Sequence, residues 1–176
     1  MPILILLLLV SASLFGPPPE VPISYSHNTE SETRVVENIA LPFLPPLLET
    51  DAQAEKEMLE LINAERSTAG LNELALDPEI SEVARLHSED MWRRQYFAHE
   101  NPDDESPIER MSEGDIDFEF AGENLALART VLRAHRGLME SPGHRENILD
   151  PGFRRVGIGV VDGGMYGKMF TQNFAD

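Results

Sequence analysis

The chain has 176 residues, with 14 Lys and Arg against 31 Asp and Glu, and its formal charge of -17 repels a nucleic-acid backbone or an anionic bilayer. It has no cysteine, which excludes disulfides, thiolate metal sites and a cysteine nucleophile together. This length suits one ordinary domain with a real core, plus tails.

Residues 1–16 hold an apolar run from Ile3 to Val10 followed by the small residues Ser11, Ala12 and Ser13. The run is shorter than the ~20 apolar residues a spanning helix needs, so it reads as an export signal or anchor. The expected location is therefore extracellular or at the cell surface, with membrane contact only through this segment. Residues 17–51 are rich in Pro, Ser, Glu and Thr and follow no period, the composition of a linker. Within it, the apolar cluster Ile39 to Leu48 is interrupted by Pro42, Pro45 and Pro46 and is a candidate for docking on the domain or a membrane face.

The domain is expected over residues 52–176. Met58, Leu61, Ile62 and Ala69 lie on one stripe of a helix that Gly70 can end, and Glu65 falls on that stripe, where it calls for an arginine partner. Asp77 followed by Pro78 predicts the cap and first turn of a second helix, with Ile80, Val83, Ala84, His87 and Met91 facing inward. Ser106, Pro107 and Glu109 announce a capping box on a short third helix. The stretch from Phe118 to Ala126 begins strand-like and breaks at Gly122, which puts Glu123 at a strand end or turn. A helix over Arg129 to Met139, a turn at Ser141 to Gly143 and a short helix from His144 to Leu149 follow. Val156, Ile158 and Val160 then alternate, turn at Asp162, Gly163 and Gly164, and return through Met169 to Phe174 as a β-hairpin.

Five histidines stand in different contexts. His27 lies in the linker and His135 beside Arg133 and Arg136, so both are expected in solvent, and His87 in the core. His99 and His144 sit in Gly, Pro and Asp rich connections, where function concentrates. With the loop carboxylate Glu123 they are candidates for a metal site or an acid/base pair, and no stronger local motif occurs.

The blocks Leu61-Ile-Asn-Ala-Glu-Arg66, Leu74-Ala-Leu-Asp-Pro78, Ala84-Arg-Leu-His-Ser-Glu-Asp-Met91 and Phe97-Ala-His99 resemble the bacterial branch of the CAP superfamily, the SCP-like extracellular domains. Gly122-Glu-Asn-Leu-Ala126, Ser141-Pro-Gly-His-Arg145, Asn147-Ile-Leu149, Val156-Gly-Ile-Gly-Val160 and Phe170-Thr-Gln172 continue the family's order. The resemblance implies an α+β fold, a three-layer α-β-α sandwich with an antiparallel sheet and a concave groove. It carries over His99 and His144 as the family's two histidines and Glu123 as its first acid. At the place of the second acid stands Ser141, with Glu140 beside it, and Leu138 replaces the aromatic that usually precedes Met139.

Three functions follow from the resemblance. One is an exported binding module whose groove holds a small molecule, lipid, glycan or peptide at His99, Glu123, Asn124, Ser141 and His144. Another is a metal-assisted hydrolase in which Glu123 and His144 act on a water. The third is a non-catalytic surface-interaction scaffold that relies on the acidic face and the linker; Glu123 and Asn124 would then cap a turn and hydrogen-bond across to His144 to fix local geometry. No cofactor is required; zinc is the divalent ion that His99 and His144 would suit, with Glu123 or Glu140 as acid partner.

Overall fold

The computed structural model describes the backbone of residues 23–26 and the whole of residues 39–176. The apolar start and much of the expected linker lie outside the described residues, as does His27.

Local signals set the helices. Asp51 caps α1 (Ala52–Thr68) by accepting from the Ala54 N–H at 3.0 Å, and Gly70 leaves it with φ +74°. Asp77 accepts from the Glu79 and Ile80 N–H groups to open α2 (Pro78–Arg94), whose five expected inward residues are all buried. The capping box of Ser106 and Glu109 starts α3 (Pro107–Glu113). Thr130 caps α4 (Val131–Glu140), and α5 (Pro142–Leu149) follows with Pro142 and Gly143 in its first turn rather than in a separate turn.

Among the described residues eight strands accompany them: β1 (Ile23–Ser26), β2 (Ile39–Ala40), β3 (Glu49–Thr50), β4 (Ala75–Leu76), β5 (Tyr96–Phe97), β6 (Ala121–Ala128), β7 (Arg155–Asp162) and β8 (Lys168–Ala175). The main sheet runs β1-β6-β8-β7-β3, antiparallel throughout, with β4 added in parallel to β7. The predicted hairpin is its centre, with Val156 opposite Phe174 and Val161 opposite Met169.

The period of two sorts this sheet into faces. Val156, Ile158, Val160, Phe170 and Phe174 join Met58, Ile62, Leu138 and Ile148 of α1, α4 and α5 in the largest core cluster. On the other face α2 lies directly on the backbone: a Cβ at Gly157 would come within 2.2 Å of the Ile80 carbonyl carbon, and one at Gly159 within 2.2 Å of the Arg85 nitrogen. Both glycines are therefore required by close approach. The result is the α-β-α sandwich, with α3 packed beside α2 through Val83, Met111 and Ile116.

Three expectations are corrected. The packed unit begins before Ala52: Leu41 is buried among Met91, Trp92 and Phe97, β2 pairs with β5, and β3 pairs with the end of β7. The prolines here erase any long period, yet two-residue pairings need none. Glu65 is half-exposed and its partner is His135, 3.6 Å away; the helix stripe instead drifts through Glu55, Met58, Ile62 and Arg66, and Glu55 is the carboxylate that binds an arginine. His135 is buried, because Val131, Ala134, His135 and Leu138 form the inner stripe of α4.

Candidate functional site

Glu123 occupies the third position of β6, inside the sheet, which corrects its placement at a strand end or turn. Gly122 does not break the strand. Its missing side chain lets Phe153 and Asn147 approach, since a Cβ would meet them at 3.0 and 3.2 Å.

Neighbouring residues of a strand face opposite ways, so Glu123 and Asn124 enter different surroundings. Glu123 is fully buried on the face carrying α2. Its Oε1 accepts from His99 Nδ1 at 2.6 Å and its Oε2 from Arg110 Nη2 at 2.9 Å. His87 Nε2 stands 4.0 Å from Oε1 and donates to the Ala98 carbonyl at 3.1 Å. Burial raises the Glu123 pKa, but Arg110 and the two imidazoles outweigh it and hold the carboxyl near about 2. Burial pushes His87 the other way, down to about 3, against the pull of Glu123.

Asn124, on the opposite face, belongs to a neutral amide network. Its Nδ2 donates to the His144 carbonyl and to Gln172 Oε1, both at 3.1 Å, while its Oδ1 accepts from Asn147 Nδ2 at 2.9 Å. Asn147 also reaches the Glu123 carbonyl at 3.3 Å, tying α5 to β6. Asn124 thus bridges to the His144 backbone, whereas Glu123 turns to His99.

The His144 imidazole is wholly buried, and neither ring nitrogen has a hydrogen-bond partner among the described residues. Burial lowers its pKa to about 3, with a further push from the nearby His99. Ser141 ends α4 and begins α5, and together with Glu140 it lines a cavity of about 350 Å³ floored by Leu125 to Ala128. A second cavity, of about 470 Å³, opens on the far side of the cluster at His87, Asp90, Glu105 and Arg110.

The structure joins His99 to Glu123, brings His144 near His99 and leaves Glu140 exposed at the cavity rim. Glu123 gives one oxygen to His99 and the other to Arg110, and among the described residues no three His, Asp or Glu side chains are grouped to hold a metal ion. Arg110 is the site residue that sequence reading passes over. Its signal is the i, i+3, i+4 face of Pro107, Arg110 and Met111, which a helix of seven residues shows only faintly.

A family model for CAP, the cysteine-rich secretory protein family, matches residues 59–174. The uncharacterized protein YkwD of Bacillus subtilis is 40% identical over 121 residues, which span 68% of this chain and 46% of that protein. The uncharacterized membrane protein YlbC of the same organism is 38% identical over 122 residues, 69% of this chain and 34% of that one. The chain therefore spans less than half the length of these relatives. A crystal structure of an extracellular protein containing an SCP domain from Bacillus anthracis superposes with a TM-score of 0.64 at 35% identity, covering 70% of this chain and 40% of that one. An outer surface protein of Borrelia burgdorferi superposes at 0.69 over 74% of this chain and 98% of its own, sharing the fold at 19% identity. The ordered blocks, the sandwich with α2 seated on two strand glycines and the match over residues 59–174 agree: this chain belongs to the CAP family, as a cysteine-free member.

Proposed function

We propose that this chain is an exported, surface-located CAP-domain binding module, in which Leu125 to Ala128 floor a groove and the cluster around Glu123, behind that strand, performs no catalysis. The observation that carries this reading is the state of Glu123. A general base works best with a pKa near the operating pH, and a wholly buried carboxylate held near about 2 with both oxygens bonded is a weak base. His87 and His144, each held near about 3, are neutral at neutral pH and so carry no proton to give as a general acid there.

The groove runs along β6 beside α4 and α5, where apolar Leu125, Ala134 and Leu138 meet the polar rim of Ser141 and Glu140. That mixture suits a lipid, glycan or peptide. Surface location is supported by the extracellular and outer-surface character of the two solved relatives and by the apolar start of the chain. Titrating the protein with oligosaccharides, short-chain phospholipids and peptides while following backbone NMR shifts tests the reading. Shifts should gather at residues 125–128 and 134–142. Shifts confined elsewhere, or a hydrolysis that Glu123→Gln abolishes, would overturn it.

A further inference from the structure

We propose that the outer edge of β6 is an acceptor for an extended peptide strand, and that residues 23–26 fill half of that edge in cis as a displaceable plug. The inference rests on the groove-binding reading above and names its ligand. β6 has eight residues, all buried and all paired with β8 on one side. On its other side β1 covers only Gly122 to Leu125, with Ile23 opposite Leu125 and Ser26 opposite Gly122. Among the described residues no strand pairs with that side of Ala126 to Ala128, and those three residues floor the 350 Å³ cavity. An edge left with open N–H and C=O groups is a template for another strand.

The sequence before Ile23 is poorly suited to extend the ladder. Pro22 immediately precedes Ile23, with Pro17, Pro18 and Pro19 shortly before, and proline has no N–H to give a ladder. A proline-free peptide can pair along all eight positions and enter the cavity, whereas the chain's own sequence brings Pro22 to the position opposite Ala126. Four paired residues form a weak strand alone, and covalent linkage through residues 27–38 gives β1 an effective concentration in the ~mM range. β1 lies against α5 as well as β6, so its departure uncovers the elements that carry His144, Asn147 and Glu123.

The test uses the full chain and a labelled synthetic peptide of residues 20–27 carrying Pro22→Thr. Adjacent strand residues point their N–H groups to opposite sides, so the double substitution Ser24→Pro with Tyr25→Pro removes at least one donor from β1. Fluorescence anisotropy should show this variant binding the peptide on the order of tenfold or more tighter than wild type, because the tethered competitor is gone. Amide exchange should slow at Ala126 to Ala128 when peptide binds. Wild type at millimolar peptide should show the same protection, a route that needs no variant. Equal affinity of the two chains, or unchanged exchange along β6 at saturating peptide, overturns the proposal. If peptide fails while a glycan or lipid still shifts residues 125–128 and 134–142, the strand acceptor falls and the binding module stands.

Discussion

Among the described residues two glutamates are buried, each against an arginine, and they are built differently. Glu55 takes Arg85 in a two-pronged grip, Nε on Oε1 at 2.8 Å and Nη2 on Oε2 at 2.7 Å, and also accepts from the Val160 N–H at 3.2 Å. It fastens α1 to α2 and β7, and nearly a third of the Arg85 side chain remains in water. Glu123 gives only one oxygen to Arg110 and the other to His99, with no water reaching it and with Arg110 itself almost wholly enclosed. The first pair is a clamp with an exit to solvent. The second is divided among three elements, and its carboxylate is wholly buried.

The difference predicts unequal costs. Arg110→Met strands the Glu123 charge in the interior and should remove ~3–5 kcal/mol of stability in urea titrations, the usual cost of breaking a buried pair from one side. Arg85→Met leaves Glu55 close to water and still bonded to the Val160 N–H, and should cost about 1–3 kcal/mol. Should Arg85→Met prove the more damaging, the contrast between clamp and enclosed cluster is mistaken.

Glu123→Gln is the next step down. It keeps shape and loses charge, leaving Arg110 with a weaker partner, and should cost about 1–3 kcal/mol. Combined with Arg110→Met, the total should fall short of the sum, since neither charge is then stranded. Strict additivity in this cycle would show that the two side chains do not act as a unit.

Acid acts on the enclosed cluster and on His144. His87 and His144 are held near about 3 in the folded chain against an ordinary 6.5, so between those values the unfolded chain binds protons that the folded chain refuses. Stability therefore drops as pH falls from 6.5 towards 3. Glu123, near about 2 against an ordinary 4.5, extends the loss from 4.5 towards 2 by the same sign. At pH 5, His87→Gln should take about one proton out of the slope, roughly 1.4 kcal/mol per pH unit, as read from urea titrations across pH. An unchanged slope would mean that His87 is charged in the folded state.

Much of the fold is legible because its signals are local. Asp77 before Pro78, the capping box at Ser106 and the alternation from Val156 to Phe174 each specify their element within a few residues. The site was legible only in part, since its partners come from separate elements. Gly122 looks like a breaker until Phe153, thirty-one positions on, is seen to need the space. Arg110 carries no mark that sets it apart from the exposed arginines, because what makes it special is the carboxylate of β6. His135 was masked by Arg133 and Arg136, although its own spacing from Val131, Ala134 and Leu138 was a core stripe all along.

The smallest stability effect is expected at His144, and there it separates scaffold from site. A buried polar side chain normally contributes through its hydrogen bonds, yet the ring nitrogens of His144 make none among the described residues. What the residue gives the amide network is its backbone carbonyl, the acceptor for Asn124, and any side chain supplies that. His144→Leu, close in volume, removes the desolvation cost of two ring nitrogens and should leave the melting temperature unchanged or raise it, within about 1–2 kcal/mol. Residues kept at a cost to stability are characteristic of sites that serve a ligand. The same variant should therefore weaken binding in the groove titrations while the Asn124 and Asn147 amide signals stay in place. A variant that loses several kcal/mol would make the imidazole a packing element, and one that keeps both stability and groove binding would remove His144 from the site.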